Sequence, residues 1–282
     1  MTDKNFKDAV LVLIGHGSTV NQQSSRSVRR LAEELAARDL FAQVSIAFDL
    51  EEPRIVDVSQ INASRIFVVP ITISEGRFTE EIIPQRLGLT VSGQSDYDRV
   101  QEINGRQMTY CHPIGTHPGM TQVLMECASN VVVQHPFPYV PKPIETALFI
   151  AGHGTKKNKN SRKSIEAQVN IIRTRSEYAE VWPVFMEEIP FIADCYTITE
   201  ARHMVVVPFF VSDGQHTLED IPALLGEPVA IVKARLAAGQ PTWNNPTERN
   251  GKLVWYASAV GSEAGLQEVV LERVREMTGD SR

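Results

Sequence analysis

The sequence contains no uninterrupted apolar run of the length that crosses a membrane, which takes about 18 residues or more. Its opening residues, MTDKNFKDAV, also lack the apolar segment of a secretory signal peptide. From these two absences we expect a cytoplasmic protein that has no membrane partner.

Cysteine and positive charge are both scarce. Cys111, Cys127 and Cys195 form neither a C-x-x-C pair nor an even set that disulfides could complete. A reducing compartment is the simplest interpretation. The 28 Lys and Arg residues are outnumbered by 34 Asp and Glu residues, giving a net charge of −6. This balance argues against a general nucleic-acid-binding protein, so we expect no nucleic-acid partner.

What the sequence does contain is a repeat. LVLIGHGST at Leu11–Thr19 returns as LFIAGHGTK at Leu148–Lys156. Further along, FVVPITISEGRFTEEIIP at Phe67–Pro84 returns as VVVPFFVSDGQHTLEDIP at Val205–Pro222. The two pairs are offset by 137 and 138 residues, so the register is nearly constant and a duplicated fold is indicated.

The repeat predicts the domain organisation. A chain of 282 residues with 43% hydrophobic content is long enough for two domains, each with its own core. We predict an N-terminal repeat over residues 1–137 and a C-terminal repeat over residues 144–282. The segment HPFPYVPKP at His135–Pro143 contains four prolines and is predicted to be the linker between them.

Within each repeat, short apolar runs alternate with segments of helical spacing. This alternation predicts an α/β fold with two tandem Rossmann-like domains, each with a four-stranded parallel sheet flanked by helices. The strands are predicted at Val10–Ile14, Val44–Phe48, Ile66–Ile71, Met108–Pro113, Thr146–Ala151, Ala179–Phe185, His203–Phe210 and Leu253–Ser258. Two polar stretches, Thr90–Gln107 and Ala234–Gly251, are predicted to be long surface loops.

Three residues of the kind that bind metals follow successive predicted strands of the second repeat. His153 comes directly after the first strand, Glu187 shortly after the second and His216 after the third. Ligands of an open parallel sheet bind beyond the carboxyl ends of its strands, where these side chains should meet. Two imidazoles and a carboxylate suit iron, cobalt, nickel or zinc. Taken singly, each residue has an ordinary explanation as a hydrogen-bonded loop histidine or a solvated carboxylate, but their coincidence favours a metal site.

The first repeat keeps only part of this set. His16 corresponds to the first histidine, whereas Leu50 and Phe78 stand where the glutamate and the second histidine would be. We therefore predict one working site, in the C-terminal repeat, and a degenerate metal site in the N-terminal repeat.

Glycines and basic residues surround the predicted site. Gly152 and Gly154 flank His153 and would let the backbone turn tightly and a flat ligand come close. A basic cluster follows within ten residues, consisting of Lys156, Lys157, Lys159, Arg162 and Lys163. In an acidic protein it is either a solvated helix face or a site that recognises several substrate carboxylates. Arg77 of the first repeat is a further candidate for the same cleft.

Two more histidines could suggest a second metal site, but the comparison of the repeats argues against it. His112 and His117 lie in YCHPIGTHPG, but the matching stretch YASAVGSEAG of the second repeat has neither. A structural or substrate-contact role is therefore favoured over a second metal. The nucleophile and phosphate-loop motifs G-x-S-x-G and G-x-x-x-x-G-K-[ST] are absent from the sequence.

At these motifs the chain resembles the sirohydrochlorin chelatases of the CbiX/CbiK type, within the ferrochelatase-like superfamily. The resemblance rests on LFIAGHGT, on F-x-E at Phe185–Glu187 and on VVVPFFVSDGQHTLEDIP, and it covers both halves apart from the polar loops. It implies a metal chelatase, a lyase that inserts a divalent metal, usually cobalt, into sirohydrochlorin on the way to cobalamin. Related members insert iron for sirohaem or nickel for coenzyme F430.

The resemblance also implies roles for individual residues. The His/Glu/His metal ligands of the family fall on His153, Glu187 and His216, which are expected to be catalytic. The residues expected to contact the tetrapyrrole substrate are Gly152, Gly154, Lys156, Lys157, Arg162, Gly214, Arg77 and His16. No organic cofactor is implied, because the metal is itself a substrate, and assembly into a homo-oligomer stays open.

Two functions of other classes remain open at the level of sequence. One is a non-catalytic tetrapyrrole or metal carrier, which would bind its ligand without turnover. The other is a two-domain small-molecule-binding protein with a hinge cleft, although the lack of a signal peptide counts against its periplasmic form. Optical titration with metal and tetrapyrrole separates these alternatives from a chelatase.

Overall fold

The computed structural model describes residues 6–19, 23–91, 96–155 and 159–279. The chain divides into two compact units, and each unit contains one five-stranded sheet with helices packed against it. The predicted α/β class and the tandem arrangement of two sheets are confirmed. No helix among the described residues is both long and apolar enough to span a bilayer.

Within its described residues, the first repeat supplies five strands and three α-helices. They are β1 (Phe6–Gly15), α1 (Gln23–Ala37), β2 (Phe41–Phe48), β3 (Arg65–Pro70), α2 (Ile83–Leu87), β4 (Val100–Ile103), β5 (Arg106–Tyr110) and α3 (Met120–Gln134). Strand β1 is buried along Ala9–Gly15, which explains why its sequence is apolar without alternation.

The second repeat supplies five strands and five α-helices in the part that the structure describes. They are β6 (Thr146–Gly152), α4 (Asn160–Arg175), β7 (Glu180–Phe185), α5 (Cys195–Ile198), β8 (His203–Pro208), α6 (Ile221–Leu224), α7 (Val229–Ala237), β9 (Thr247–Arg249), β10 (Lys252–Tyr256) and α8 (Leu266–Met277). Helix α7 begins ahead of the stretch that was predicted to be a loop and occupies its first residues.

The two sheets have the same topology. The strand order is β2-β1-β3-β5-β4 in the first sheet and β7-β6-β8-β10-β9 in the second. The first four strands of each order run parallel, as predicted, because helical crossovers connect them. In the second sheet, Gly152 pairs with Phe185 and Ala151 pairs with Pro208, so β6, β7 and β8 end at nearly the same level. Residues that follow these three ends are therefore neighbours.

Each sheet contains the four predicted parallel strands and, in addition, one antiparallel edge strand that the sequence analysis did not predict. Strand β4 pairs with β5, and β9 pairs with β10, as two hairpins. Their turns are Asn104-Gly105 and Asn250-Gly251, in which all four residues have positive φ between 50° and 73°. Asn-Gly is the residue pair that such a turn favours, so the signal was present inside the two polar stretches assigned to loops.

The compact units also differ from the predicted domain ranges, because the last helix of each repeat belongs to the other unit. One unit consists of residues 1–117 and 264–282, and the other of residues 118–263. Helix α8 packs on β3 and α1, and buried Arg273 donates to the carbonyl oxygen of Pro113 at 2.7 and 3.0 Å. Helix α3 packs on α4 and β8 of the second unit. The proline-rich segment at 135–143 consequently lies within one unit and does not separate the two.

A π-helix precedes α2 in the first unit and α6 in the second. These segments are Phe78–Ile82 and His216–Asp220, and each closes with a hydrogen bond to the carbonyl five residues earlier. The π-helix places His216 at the start of a widened turn, close to the carboxyl ends of the strands. The sequence predicted helices at Thr79–Leu87 and near Leu218–Leu225, without distinguishing a π-helix from an α-helix.

All three cysteines are buried and free. Burial raises the pKa of Cys111 and of Cys195 to about 12, so both thiols are protonated near neutral pH. All three cysteines are therefore residues of the protein core.

Candidate functional site

The three predicted ligand residues meet at one edge of the second sheet. His153 directly follows β6, Glu187 lies two residues beyond β7, and His216 opens the π-helix that follows β8. The rings of His153 and His216 have centroids 4.9 Å apart and stand at 81° to each other. The Nε2 atom of His153 is 3.8 Å from Oε1 of Glu187. Folding therefore brings together residues that are 34 and 63 positions from His153 in the sequence.

Each histidine of this site uses its Nδ1 atom for an internal hydrogen bond. Nδ1 of His153 lies 2.6 Å from the carbonyl oxygen of Gly154, and Nδ1 of His216 lies 2.7 Å from Oδ2 of Asp220. Carbonyl and carboxylate oxygens only accept hydrogen bonds, so Nδ1 is the donor whenever either ring is neutral. Both Nε2 atoms then carry a lone pair. This is the arrangement in which histidine binds a metal or accepts a proton.

The three side chains form an open group. Their exposed fractions are 37% for His153, 56% for Glu187 and 44% for His216, so all three are reachable from solvent. No three His, Cys, Asp or Glu side chains within the described ranges already form a metal-binding cluster. A metal held at about 2.0–2.2 Å from each donor would therefore draw these side chains closer together.

The glycines around His153 are required by the protein's own packing. A Cβ atom on Gly152 would stand 1.9 Å from Cδ1 of Ile165, which α4 presses against β6. Gly154 has a φ of 64°, and a Cβ atom there would stand 2.9 Å from Cβ of Phe185. These two glycines let the His153 loop turn between β7 and α4. Their predicted contact with a flat substrate stays a prediction.

Gly214 has a different position, at the start of the turn that carries His216. Its N–H donates to Oγ1 of Thr217 at 2.9 Å, and its carbonyl accepts from the N–H of Leu218 at 2.8 Å. A Cβ atom on Gly214 would meet nothing within 4 Å, so the backbone here borders open space. Gly214 therefore closes the turn that leads into the π-helix, one residue before the N-cap residue Gln215.

The basic cluster is only partly described. Lys156 and Lys157 lie outside the described residues, while Lys159 and Lys163 are exposed. Arg162 is already engaged by protein groups: it contacts Glu166 at 2.8 Å, Glu188 at 3.3 Å and the carbonyl oxygen of Ile189 at 2.8 Å.

The first unit repeats the Arg162 contacts with Arg29. The guanidinium of Arg162 lies over the Phe185 ring at 4.7 Å, and that of Arg29 lies over the Phe48 ring at 4.8 Å. Arg29 also donates to the carbonyl oxygen of Glu52 at 3.0 Å. The first repeat lacks the full ligand set and yet keeps the same contacts. The contacts therefore stabilise the loop that follows the second strand of each repeat. The structure therefore gives Arg162 an architectural role, and its contact with the substrate stays a prediction.

At the corresponding place in the first unit, Phe78 rather than a second histidine lies beside His16. The rings of His16 and Phe78 have centroids 4.9 Å apart, the same separation as the histidine pair of the second unit. Leu50, at the position of the glutamate, is 38% exposed. Arg77 is exposed and pairs with Glu81 at 3.5 Å. Phe78 and Leu50 offer no atoms that could bind a metal, and the degenerate metal site of this repeat stays a prediction.

The two remaining histidines of interest have separate surroundings. Nδ1 of His112 is 3.4 Å from Oε1 of Glu75. His117 is buried, with Nε2 at 3.4 Å from Glu276 and 3.6 Å from Glu272. Burial lowers the pKa of His117, which favours its neutral form. They do not form a second metal cluster within the part of the chain that the structure describes.

Sequence reasoning missed the residues that hold His216 in place. Asp220 bonds its Nδ1 atom, and the buried hydroxyl of Tyr256 donates to the carbonyl oxygen of Thr217 at 2.7 Å. A signal for Asp220 was available, because His and Asp four residues apart share one helix face. Tyr256 had no such signal, since it comes from a strand far along the chain.

Comparisons with known proteins identify relatives over nearly the whole chain. A model of the CbiX family matches twice, over residues 10–131 and 147–277. A probable sirohydrochlorin cobaltochelatase of Halobacterium salinarum is 36% identical over 274 residues, covering 93% of this chain and 89% of that protein. A sirohydrochlorin cobaltochelatase of Methanococcus maripaludis is 25% identical over 142 residues, which is 43% of this chain and 98% of that relative. The second relative is thus about as long as one repeat.

Solved structures with the same fold include chelatases. A multi-domain protein of Deinococcus radiodurans, described as structurally similar to chelatases, has a TM-score of 0.75 at 26% identity. The match covers 98% of this chain and 56% of that protein. The chain thus spans about half of that protein. SirB from Bacillus subtilis, solved with Fe³⁺, has a TM-score of 0.67 at 18% identity, with 96% and 95% coverage, which supports the fold alone. The double match to the family and the relative that is 36% identical show that this chain belongs to the CbiX family.

Proposed function

We propose that this chain is a sirohydrochlorin cobaltochelatase-type enzyme that inserts a divalent metal into a tetrapyrrole through His153, Glu187 and His216. The observation that carries the proposal is the pair of imidazoles at one sheet edge, each with Nδ1 hydrogen-bonded to an oxygen, which leaves Nε2 of the neutral ring available to a metal. A carboxylate lies 3.8 Å from one of these Nε2 atoms. The names of the relatives support the choice of substrate.

The proposed reaction exchanges one metal ion for two protons. A divalent cation enters the macrocycle, two pyrrole N–H protons leave, and no electrons are transferred. Neutral imidazole can hold a borderline metal loosely or accept a departing proton near neutral pH. The carboxylate of Glu187 balances part of the charge of the arriving cation. Because the exchange is not a redox step, it requires no organic cofactor.

Cobalt is the proposed metal, since the curated relatives are named for it. Two imidazoles and a carboxylate also suit iron and nickel, so the ligand set alone does not select cobalt. The tetrapyrrole is the proposed partner, and the reaction is proposed to take place in the cytoplasm. Three free, buried cysteines are compatible with a reducing compartment.

A visible-absorption assay with purified protein and sirohydrochlorin tests the proposal. Under anoxic conditions, Co²⁺, Fe²⁺ and Ni²⁺ are added in turn, and conversion of the free macrocycle to its metal complex is followed against a protein-free control. We expect catalytic turnover with at least one metal and fastest with cobalt. Binding of the tetrapyrrole without conversion would identify a carrier, and no binding would favour an unrelated small-molecule protein.

A further inference from the structure

The contact between His216 and Asp220 is a feature that the sequence motifs did not assign. Both residues lie on the π-helix, four positions apart, with Nδ1 of the ring 2.7 Å from Oδ2 of the carboxylate. Their side chains are 44% and 34% exposed, so the pair lies at the surface of the site. His153 obtains the equivalent hydrogen bond from a backbone carbonyl, that of Gly154. At His216 the acceptor of this hydrogen bond is a side-chain carboxylate.

The first unit shows that the π-helix itself does not need this carboxylate. Ile82 stands at the position of Asp220, and a π-helix forms there all the same. Its internal bonds are reproduced: Thr79 Oγ1 accepts from Gly76 N–H at 2.9 Å, and the Tyr110 hydroxyl donates to the Thr79 carbonyl at 2.7 Å. Thr217 makes the same two bonds in the second unit.

The comparison of the two units therefore separates scaffold from function. Threonine, tyrosine and glycine are shared by both copies, whereas histidine and aspartate are replaced together by Phe78 and Ile82. A carboxylate needed only for folding would be expected in both copies. Its joint occurrence with the histidine indicates that it acts on the imidazole.

We propose that Asp220 is a positioning residue that holds His216 in the tautomer with hydrogen on Nδ1, which presents the Nε2 lone pair to the metal. The inference rests on the proposed function and names a residue that controls one ligand. A carboxylate can only accept from Nδ1, so it selects a single tautomer and limits rotation of the ring. Carboxylate partners of this kind change metal affinity by about 10–100-fold when removed.

The test uses two substitutions with different chemistry in the full-length protein. Asp220→Asn keeps the shape but offers an amide that can accept or donate, so it no longer dictates which ring nitrogen carries hydrogen. Asp220→Glu restores a carboxylate on a longer side chain. Glu219→Gln is the matched control, because it removes a negative charge from the same turn and leaves the Asp220 carboxylate in place.

Two readouts are decisive, and both are made without tetrapyrrole. Co²⁺ affinity is measured from its d–d absorption, and the tautomer of His216 is read from the ¹⁵N chemical shifts of its ring. We expect Asp220→Asn to weaken Co²⁺ binding by about 10–100-fold and to mix the two tautomers, with partial recovery in Asp220→Glu and no change in Glu219→Gln. A lower melting temperature with an unchanged tautomer and unchanged affinity would mean a structural role and would overturn the inference.

The metallation assay keeps this result separate from the proposed function. Wild-type protein that binds Co²⁺ in an Asp220-dependent way but never metallates sirohydrochlorin would contradict the chelatase and leave the positioning role intact. Wild-type turnover together with full Co²⁺ affinity in Asp220→Asn would contradict the positioning role alone.

Discussion

At the scale of single residues, the asymmetry between His153, His216 and His16 has a direct kinetic consequence. We expect His153→Ala or His216→Ala to reduce metal insertion by about 10²-fold or more, because each removes an Nε2 lone pair from the site. His16→Ala should have a milder effect, since Leu50 and Phe78 provide no further ligand beside it. Steady-state metallation rates of the three variants measure this.

All three histidines follow or border loops, so unfolding temperatures close to wild type are the control for intact folding. Equal loss of activity in the three variants would make the first unit a partner in catalysis. Loss of activity in His16→Ala alone would mean that the working site lies in the N-terminal repeat.

A second residue-scale prediction concerns acid sensitivity. Burial lowers the pKa of His117, and Arg273 lowers it further, against the opposing charges of Glu276 and Glu272. Histidine in the unfolded chain titrates near pH 6.5, at about its usual value. As the pH falls through that value, the unfolded chain therefore binds a proton before the folded one does, and the free energy of unfolding decreases.

Replacing His117 with Asn should remove this contribution. The free energy of unfolding of wild type and of His117→Asn is measured by denaturant titration from pH 8 down to the lowest pH at which the wild type is still folded. Below about pH 6.5, the wild type should lose more stability than His117→Asn does. His135→Asn, at an exposed histidine, is the matched control. A pH-independent difference would show that His117 does not titrate differently in the two states.

At the scale of elements, the two π-helices form a natural pair for comparison. The buried hydroxyls of Tyr110 and Tyr256 hold Thr79 and Thr217 in the same way, each at 2.7 Å. Tyr110→Phe and Tyr256→Phe should each lower stability by about 1–3 kcal/mol, because a buried carbonyl loses its donor. Only Tyr256→Phe should also slow metal insertion, by up to about 10²-fold if the turn carrying His216 moves by as much as 1 Å.

Thermal unfolding and metallation rates of these two variants separate the effects. Similar slowing in both variants would mean that the π-helix of the first unit also contributes to the reaction. Unchanged insertion in Tyr256→Phe would show that the hydroxyl serves stability alone.

Much of the element order follows from sequence because its physical causes are local. Continuous apolar runs such as Leu11–Ile14 become strands covered on both faces, and the ligand residues fall after strand ends. The π-helices do not follow, because the hydrogen bond from Ile221 N–H to the His216 carbonyl has no distinct residue signature. The Nδ1 partner of His153 was equally hidden, since it depends on the backbone turn at Gly154.

At the scale of the whole molecule, the exchange of terminal helices defines which fragments are self-contained. Residues 118–263 contain α3 and its partners, whereas residues 144–282 lack α3 and carry α8, which belongs to the other unit. We expect the 118–263 fragment to unfold cooperatively and the 144–282 fragment to be less stable. The buried face of α8 includes Leu266, Val269, Val270 and Val274, which that fragment would expose.

Circular dichroism and hydrogen exchange on the two fragments check this expectation. Equal stability of the fragments would mean that α8 can replace α3 on the second sheet. The repeat could not reveal which helix packs where, because its spacing in sequence is the same for either arrangement.

The same exchange sets an order of events during synthesis on the ribosome. The second unit is complete once residue 263 has emerged, but the first unit must wait for residues 264–282. At about 5–20 residues per second, the N-terminal sheet therefore spends roughly ten seconds or more without its last helix. During that interval the surface that α8 will cover is open to chaperones, and the half of the protein that is made first is the last to be finished.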